Sequence, residues 1–296
     1  MAEKKFRSGF VAILGRPNVG KSSIMNCFVG EKVAIVSNHP QTTRSKLLGV
    51  ATGDDWQIVF VDTPGLHKPR TKLGEYMMKS ASDAREGVDA VLAVVDGQRI
   101  GGGDKAVLED IQGMRCPKFL AVNKIDIVTP EKLMPQLAEL NDFKFDQIFS
   151  VSARTGKNVD ILLQKLIEAM PEGPKYFPDD MITDQPERIM CAEIIREKAL
   201  HNLRDEIPHG VGVEMLQIKK VGPNLTEIHA NVYCERDSHK SIIIGKQGAM
   251  LRKIGSEARK DIEHLMNTKI MLKLWVKVRE DWRNRAGDLR ALGYED

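Results

Sequence analysis

Cysteine is scarce in this chain of 296 residues, and the cysteines that are present form no pattern. The four are widely separated with no CxxC pair, and the seven histidines show no HExxH or other paired metal spacing. Disulfide frameworks and structural zinc sites both need such regular spacings. The sequence therefore predicts neither, which is typical of a protein in a reducing cytosol.

Long apolar runs are absent as well. The opening MAEKKFRSGFVAIL has too short an apolar run for a signal peptide, and no stretch reaches the length of a transmembrane helix. The formal net charge of +3 is too small to indicate nucleic-acid binding by itself, so that inference depends on where the charges lie. We expect a soluble, cytoplasmic protein.

The length of the chain exceeds what one hydrophobic core usually supports, so two domains are expected. The segment MPEGPKYFPDDMITDQPER, with four prolines, follows a helix-like stretch and is typical of a linker. We predict a first domain at residues 1–172, a linker at 173–187 and a second domain at 188–296.

Short apolar runs alternate with amphipathic segments in the first domain. The runs are FVAIL, WQIVFV, VLAVV and KFLAV, and each is followed by a loop and a helix-like stretch. This alternation predicts an α/β domain with a mostly parallel sheet and helices on both faces. Ligands bind such sheets at the carboxyl ends of the strands, where the motifs below occur.

The first run leads into GRPNVGKS at residues 15–22, which matches the phosphate-binding pattern GxxxxGK[ST]. In such a loop the glycines let backbone N–H groups surround phosphates, Lys21 neutralises their oxygens and Ser22 binds magnesium. The alternative is a plain glycine-rich turn between strand and helix; the full pattern together with the flanking elements favours a phosphate-binding loop. The candidate phosphate-binding residues are Gly15, Arg16, Pro17, Asn18, Val19, Gly20, Lys21, Ser22 and Ser23.

The second run ends in Asp62-Thr63-Pro64-Gly65, where a carboxylate can hold magnesium and a glycine N–H can meet a third phosphate. The long polar loop EKVAIVSNHPQTTRSK lies between the two motifs and is typical of a segment ordered by a triphosphate. Thr42 and Thr43 both offer a hydroxyl to the metal, and we favour Thr43. The predicted metal ligands are Ser22, Thr43 and Asp62.

Asn123-Lys124-Ile125-Asp126 follows the fourth run and matches NKxD, a guanine-binding pattern. Asp126 can accept hydrogen bonds from the ring N–H and the amine of guanine, a donor pair that adenine lacks. We expect Asn123 to meet the carbonyl side of the base and Lys124 to cover the ring. Ser152 and Ala153, in the later SAR motif, complete the predicted site, with the Ala153 N–H facing the guanine oxygen.

Hydrolysis needs an oriented water, and the residue after the DTPG turn is Leu66, which cannot orient one. Small switches with a glutamine at this place use its side chain for that purpose. Asn18 either helps to coordinate a potassium ion or only stabilises its turn; both interpretations stay open. The candidate catalytic residues are Asn18, Lys21, Thr43 and Gly65, and we expect slow turnover, about 10⁻⁴ to 10⁻² per second.

The second domain contains Gly245-Lys246-Gln247-Gly248 between two helix-like segments, with two predicted strands before it and one after. This order resembles an α+β type II KH domain, whose GXXG loop clamps single-stranded RNA. Residues 238–260 contain six basic residues and one acid, so the positive charge is local. The predicted RNA-binding residues are Ile242, Ile243, Ile244, Gly245, Lys246, Gln247, Gly248, Met250, Arg252 and Lys253.

Two tryptophans follow the GXXG segment. We interpret Trp275 and Trp282 as packing residues rather than stacking platforms.

The chain as a whole resembles the Era family of GTPases. The resemblance rests on GRPNVGKS, PQTTRS, DTPGLH, NKID and SAR, and more specifically on PDDMITDQPER, IIIGKQGAMLRKIG and LKLWVKVREDWR. It implies a GTP- and magnesium-dependent switch that binds the 3′ end of small-subunit (16S) ribosomal RNA during maturation of the small ribosomal subunit. It also implies a cytoplasmic protein that associates peripherally with the inner face of the cell membrane, and we expect a monomer.

Two alternatives stay open at this point. The second domain of a nucleotide-controlled adaptor would contact protein instead of RNA, and a GTPase acting on tRNA or the large subunit would bind a different RNA.

Overall fold

The computed structural model describes residues 5–37, 39, 42–65, 71–83, 87–204 and 207–294. The chain divides into two compact units. The first comprises residues 1–36, 43–68 and 77–184, and the second comprises 37–42, 69–76 and 185–296.

Unit 1 is built on a six-stranded sheet of order β2-β3-β1-β4-β5-β6, parallel except for the β2–β3 pair. The strands are β1 (Arg7–Leu14), β2 (Leu47–Gly53), β3 (Trp56–Asp62), β4 (Ala90–Asp96), β5 (Lys118–Asn123) and β6 (Gln147–Ser150). The helices are α1 (Lys21–Val29), α2 (Lys72–Asp83), α3 (Gly102–Gln112), α4 (Pro130–Leu140) and α5 (Val159–Ala169), of which the first residues of α2 belong to unit 2.

The strands of this sheet are buried on both faces. Val91, Leu92, Ala93 and Val94 of β4 are all fully buried, although successive side chains point to opposite sides. Two separate apolar clusters form, one with α1 and α5 and the other with α3. The predicted α/β class is confirmed, and the continuous apolar runs follow from this double coverage.

The antiparallel edge strand β2 was not among the predicted strands. Its sequence, LLGVATG, carries two glycines and is joined to β3 by a two-residue connection. Its pairing with β3, the burial of its central residues and hydrogen bonds with residues 182 and 183 stabilise it as a strand.

The chain beyond α5 runs along the edge of unit 1 instead of leaving it directly. The fully buried side chain of Gln57 accepts hydrogen bonds from the N–H groups of Tyr176 (2.8 Å) and Phe177 (2.9 Å). The Thr183 hydroxyl donates to the Leu48 carbonyl at 2.7 Å. The first part of the predicted linker is therefore hydrogen-bonded to unit 1 as far as residue 183.

Unit 2 has a three-stranded sheet of order β7-β8-β9, with β7 antiparallel and β9 parallel to β8. Its elements are α6 (Glu187–Asn202), β7 (Gly212–Gly222), β8 (Leu225–Cys234), α7 (Asp237–Ile244), α8 (Ala249–Met266), β9 (Lys269–Val278) and α9 (Ala286–Ala291). Helices α6 and α8 pack on one face of the sheet around a core that includes Ile195, Ile228 and Ile254. The predicted strand order is confirmed.

Described residues from two earlier segments of the chain also belong to unit 2. Arg196 on α6 is fully buried and donates hydrogen bonds to the Thr42 carbonyl and to Glu193. The backbone N–H of Lys72 donates to Asn284 at 3.2 Å. Thr42, from the loop predicted to be ordered by a triphosphate, and Lys72 are thus part of the second unit.

The two tryptophans of unit 2 differ. Trp282 is fully buried and its Nε1 donates to the Gly210 carbonyl at 2.9 Å, which confirms it as a packing residue. Trp275 is 43% exposed, so the same interpretation is wrong for it. Within the described part of the chain, the helices are too short or too polar to span a bilayer.

Candidate functional sites

The phosphate-binding loop connects β1 to α1, and its glycines have no room for side chains. A Cβ on Gly15 would lie 2.4 Å from the Val94 carbonyl oxygen, and one on Gly20 would lie 2.1 Å from Asn123 Nδ2. Gly20 also has φ 101°, a conformation that other residues rarely adopt. Close packing against β4 and β5 therefore fixes the path of this loop.

Lys21 lies inside the loop with 6% of its surface exposed. Its Nζ donates to the carbonyl oxygens of Gly15 (3.1 Å) and Arg16 (3.0 Å). Burial lowers the pKa of Lys21 to about 8, and the nearby Asp62 carboxylate opposes this shift. A desolvated ammonium held by carbonyls is ready to exchange them for phosphate oxygens.

The three predicted metal ligands, Ser22, Thr43 and Asp62, lie within hydrogen-bond distance of one another. Ser22 Oγ donates to Asp62 Oδ2 at 2.5 Å and lies 2.9 Å from Thr43 Oγ1, and Thr43 Oγ1 donates to the same carboxylate oxygen at 3.3 Å. Burial raises the pKa of Asp62. The charge of Lys21 and the hydrogen bonds from the two hydroxyls act in the opposite direction. Two hydroxyls and a carboxylate are the hard oxygen donors that suit Mg²⁺.

The DTPG turn lies against the phosphate loop. A Cβ on Gly65 would come 2.5 Å from the backbone nitrogen of Pro17, so the two backbones are in close contact. The buried Thr63 hydroxyl donates to the Ile13 carbonyl at 3.0 Å and fixes the turn to β1. Pro64 is the residue between Thr63 and Gly65. Leu66 is outside the described residues.

The NKxD and SAR motifs meet at the carboxyl ends of β5 and β6. Asn123 Nδ2 donates to the Val19 carbonyl at 3.0 Å, and its Oδ1 accepts from the Ala153 N–H at 3.0 Å. Ser152 Oγ donates to Asp126 Oδ1 at 2.7 Å. Asn123 is therefore hydrogen-bonded within the site, whereas Asp126 is oriented by Ser152.

Sequence reasoning missed Asp96, at the end of β4. Lys124 Nζ lies 2.7 Å from Asp96 Oδ2 and donates to the Asn18 carbonyl at 2.7 Å. Asn18 itself has φ 65°, a conformation in which asparagine is enriched. Asp96 thus orients Lys124 across the site, and the available signal was its place directly after the VLAVV strand.

Arg16 also has a partner that the motif did not indicate. Its Nη1 lies 3.3 Å from Oδ2 of Asp104, a buried residue at the start of α3. The same Oδ2 accepts from the Gly101 N–H at 3.0 Å. The remaining candidate, Ser23, is half-buried on α1.

In unit 2, the GKQG segment joins α7 to α8. Gly245, Gln247 and Gly248 have φ of 71°, 52° and 78°, and the side chains of Lys246 and Gln247 are exposed. Arg252 donates to the Gln247 carbonyl at 2.7 Å and braces the loop. Two glycines without side chains, next to exposed Lys246 and Gln247, suit close approach of a strand of RNA.

The apolar candidates around this loop have different environments. Ile242 is 49% exposed, whereas Ile243 is fully buried in the core of unit 2. Ile244 and Met250 are half-buried against the same core, and Lys253 is exposed on α8. Ile242 and Lys253 are thus available to a ligand directly, and Ile243 supports the helix.

Comparison with known proteins identifies the family of each part of the chain. Residues 10–124 match the family of 50S ribosome-binding GTPases, and residues 206–283 match the KH domain. The chain is 51% identical to GTPase Era of Clostridium botulinum (strain Alaska E43 / Type E3) over 98% of its length and 99% of the relative. It is 53% identical to GTPase Era of Alkaliphilus oremlandii, with the same coverage. The chain belongs to the Era family of GTPases.

Solved Era structures have the same fold. A variant of Aquifex aeolicus Era bound to GDP and AlF4⁻ superposes with a TM-score of 0.93 at 37% identity, covering 98% of this chain and 100% of that one. Era in complex with MgGDPNP and nucleotides 1506–1542 of 16S ribosomal RNA gives a TM-score of 0.92 at 37% identity, with the same coverage. The GTPase fold followed by a KH domain, expected from the sequence, is confirmed.

Proposed function

We propose that this Era family member is a GTP-hydrolysing switch whose KH domain binds the 3′ end of 16S ribosomal RNA, and that it acts in maturation of the small ribosomal subunit. One observation carries the proposal: the chain aligns over nearly its full length with an Era whose solved complex holds nucleotides 1506–1542 of that RNA. The exposed Lys246 and Gln247 of the GXXG loop support it.

The nucleotide site supports GTP as the ligand and Mg²⁺ as its metal. We propose that Gly15 to Ser23 surround the phosphates and that Asp126, oriented by Ser152, accepts from guanine. Ser22, Thr43 and Asp62 are the side chains that would hold the metal. When bound, Mg²⁺ neutralises phosphate charge.

During hydrolysis the chain's own groups supply positioning and charge. Lys21 would leave its carbonyl acceptors for phosphate oxygens, and the Gly65 N–H would meet the third phosphate. No glutamine follows Gly65, so turnover is slow without a further water-orienting group.

We propose that the third phosphate orders the segments 31–46 and 62–78, and that the second unit responds to this ordering. Arg196 holds the carbonyl of Thr42, the residue before the predicted metal ligand Thr43. A segment ordered by the third phosphate would therefore change the surroundings of a buried arginine in unit 2. Release of phosphate would reverse that change.

We further propose that the protein acts as a monomer in the cytoplasm, with peripheral association at the inner face of the cell membrane. The resemblance to the Era family supports this proposal.

The test is the affinity for a single-stranded RNA from the 3′ end of 16S ribosomal RNA, compared with a scrambled strand. Both are titrated at one fixed salt concentration with a non-hydrolysable GTP analogue and then with GDP. We expect tighter, sequence-dependent binding with the analogue. Equal weak binding of both strands in both states would refute the RNA target.

A variant in which Gly245 and Gly248 both become Asp tests whether the GXXG loop binds the RNA. A carboxylate at each position adds negative charge and a side chain beside the RNA phosphates. RNA affinity should fall while GTP hydrolysis is retained. Unchanged RNA affinity in that folded variant would favour a protein-binding role, and copurified RNA from the large subunit or tRNA would favour the other alternative.

A further inference from the structure

The sheet of unit 2 has one face packed on helices and another with exposed side chains. On β9, Ile270 and Val276 are buried in the core with α6 and α8. The alternate residues Met271 and Trp275 are 39% and 43% exposed. A tryptophan exposed to this extent on a regular strand is not required by packing.

Strand register gathers a definite set of residues on this side of the sheet. Trp275 is in register with Asn231, and Lys273 is in register with His229. The rings of Trp275 and His229 meet edge to face with centroids 5.3 Å apart. We name this side of the sheet the open face; its residues include Lys219, His229, Met271, Lys273, Trp275 and Lys277, and also the acids Glu214 and Glu227.

The charge of the open face is mainly positive. Lys219, Lys273 and Lys277 are exposed. The acids on the same side are less accessible: Glu227 accepts from Lys273 at 2.5 Å, and Glu214 accepts from the Tyr233 hydroxyl at 2.6 Å. Exposed cations therefore outnumber exposed anions around the tryptophan.

The spacing of these cations fits a nucleic-acid strand. Lys273 and Lys277 lie two positions on either side of Trp275, about 7 Å along the strand in each direction. An aromatic face with flanking cations is the combination that binds unpaired bases and their phosphates. A second copy of this chain would bring like charges together on the same surface, so it fits less well.

The open face and the GXXG loop are both next to the edge strand β9, from opposite sides of the sheet. Strand β9 is the edge of the sheet, and α7, which leads into the loop, packs against it. A strand of RNA at the loop can therefore continue over this edge. We propose that the open face is a second contact surface for single-stranded RNA that is already bound at the GXXG loop, with Trp275 stacking on a base and Lys273 and Lys277 contacting phosphates.

This inference rests on the proposed RNA-binding function, so the experiment separates the two. The full chain is titrated with a four-nucleotide RNA, sufficient for a GXXG loop, and with a longer single strand from the 3′ end of 16S ribosomal RNA. Trp275→Ala should weaken binding of the longer RNA about tenfold, because a stacked base is lost, and leave the four-nucleotide RNA unaffected. Trp275→Phe should restore most of the loss.

Two further measurements address the same surface. Lys277→Gln should reduce the salt dependence of binding of the longer RNA by about one unit of slope. Longer RNA should quench tryptophan fluorescence in the wild type and much less in Trp275→Phe, because Trp282 is buried and Trp56 lies half-buried on β3 of unit 1. Tyr176→Ala is the matched control, since Tyr176 is 45% exposed on the other unit.

The outcomes are distinguishable. If Trp275→Ala binds the longer RNA as tightly as the wild type does, only this inference falls. If the wild type binds neither RNA, the proposed function falls with it. A dimer in sedimentation that Trp275→Ala dissociates would assign the open face to a second copy and also overturn the inference.

Discussion

The side-chain amide of Asn123 donates to the carbonyl oxygen of Val19 at 3.0 Å and so joins the base-recognition motif to the phosphate-binding loop. The other end of the same amide accepts from the Ala153 N–H at 3.0 Å. One side chain therefore fixes three loops that are far apart in sequence.

Replacing Asn123 with Ala should loosen all three loops. The Val19 carbonyl and the Ala153 N–H would each lose a hydrogen-bond partner. Each loss lowers the free energy of unfolding by about 1–3 kcal/mol where the group is buried. We expect a lower free energy of unfolding in urea and at least a tenfold weaker affinity for fluorescent GDP, about 1.4 kcal/mol. Asn141→Ala, an exposed substitution at the end of α4, serves as the control. Wild-type stability in Asn123→Ala would contradict this assignment.

Asp126→Asn should change the base that the site accepts. The carboxylate can accept from both donors of guanine, whereas an amide offers one acceptor and one donor, which suits the carbonyl of xanthine. We expect GTP affinity to fall by about 10²-fold or more, with xanthosine triphosphate preferred. Competition between the two nucleotides measures the change. An unaltered preference for GTP would place the guanine contacts elsewhere.

Nucleotide binding should be coupled to protonation of Lys21. Burial holds the pKa of this lysine at about 8 without nucleotide, and phosphate oxygens favour its charged form. At pH 8 binding should take up about half a proton, and affinity should decline as the pH rises above this value. Calorimetry in buffers of different ionisation enthalpy measures the uptake.

The same pKa has a consequence for stability. Because the unfolded chain binds this proton more tightly than the nucleotide-free protein does, the contribution of Lys21 to stability improves as the pH rises from about 8 to 10.5. Lys21→Arg is the control, since a guanidinium stays protonated throughout this range.

If the enthalpy of nucleotide binding at pH 8 does not depend on the buffer, binding takes up no proton, and the predicted coupling between nucleotide binding and protonation of Lys21 is excluded.

The two interpretations of Asn18 make different predictions about potassium. If its side chain helps to coordinate K⁺, hydrolysis should be faster in potassium than in sodium, and both Asn18→Ala and Asn18→Gly should abolish the difference. If Asn18 only stabilises its turn at φ 65°, Asn18→Gly should behave like the wild type, because glycine adopts that conformation freely. Phosphate release in the two salts distinguishes them, and equal wild-type rates would discard the potassium hypothesis.

Much of the fold could be predicted because the apolar runs mark the strands and the nucleotide motifs directly follow them. The two strands before the GXXG segment, the helices on either side of it and the strand after it were predicted, since the apolar periods and the two glycines at 245 and 248 are local signals, whereas α9 was missed. The antiparallel strand β2 was missed because its glycine-containing sequence is stabilised as a strand by distant chain, through pairing with β3 and hydrogen bonds with residues 182 and 183.

The candidate sites show the same limit. The motifs indicated which residues approach a nucleotide, but Asp96 orients Lys124 across 28 positions of sequence, and no short motif records that pairing. The exposure of Trp275 was missed for a similar reason. Its strand alternates in the expected way, and only the position of the helices shows which side is covered.

The buried guanidinium of Arg196 makes the second unit discontinuous in sequence. One of its acceptors, the Thr42 carbonyl, is supplied by chain that precedes it by 154 residues. A gene fragment beginning at residue 185 would encode the whole sheet and its helices but lack this acceptor, and a charge normally removed from water would have to find another. A substitution near residue 42 therefore changes the surroundings of a side chain encoded 154 positions later.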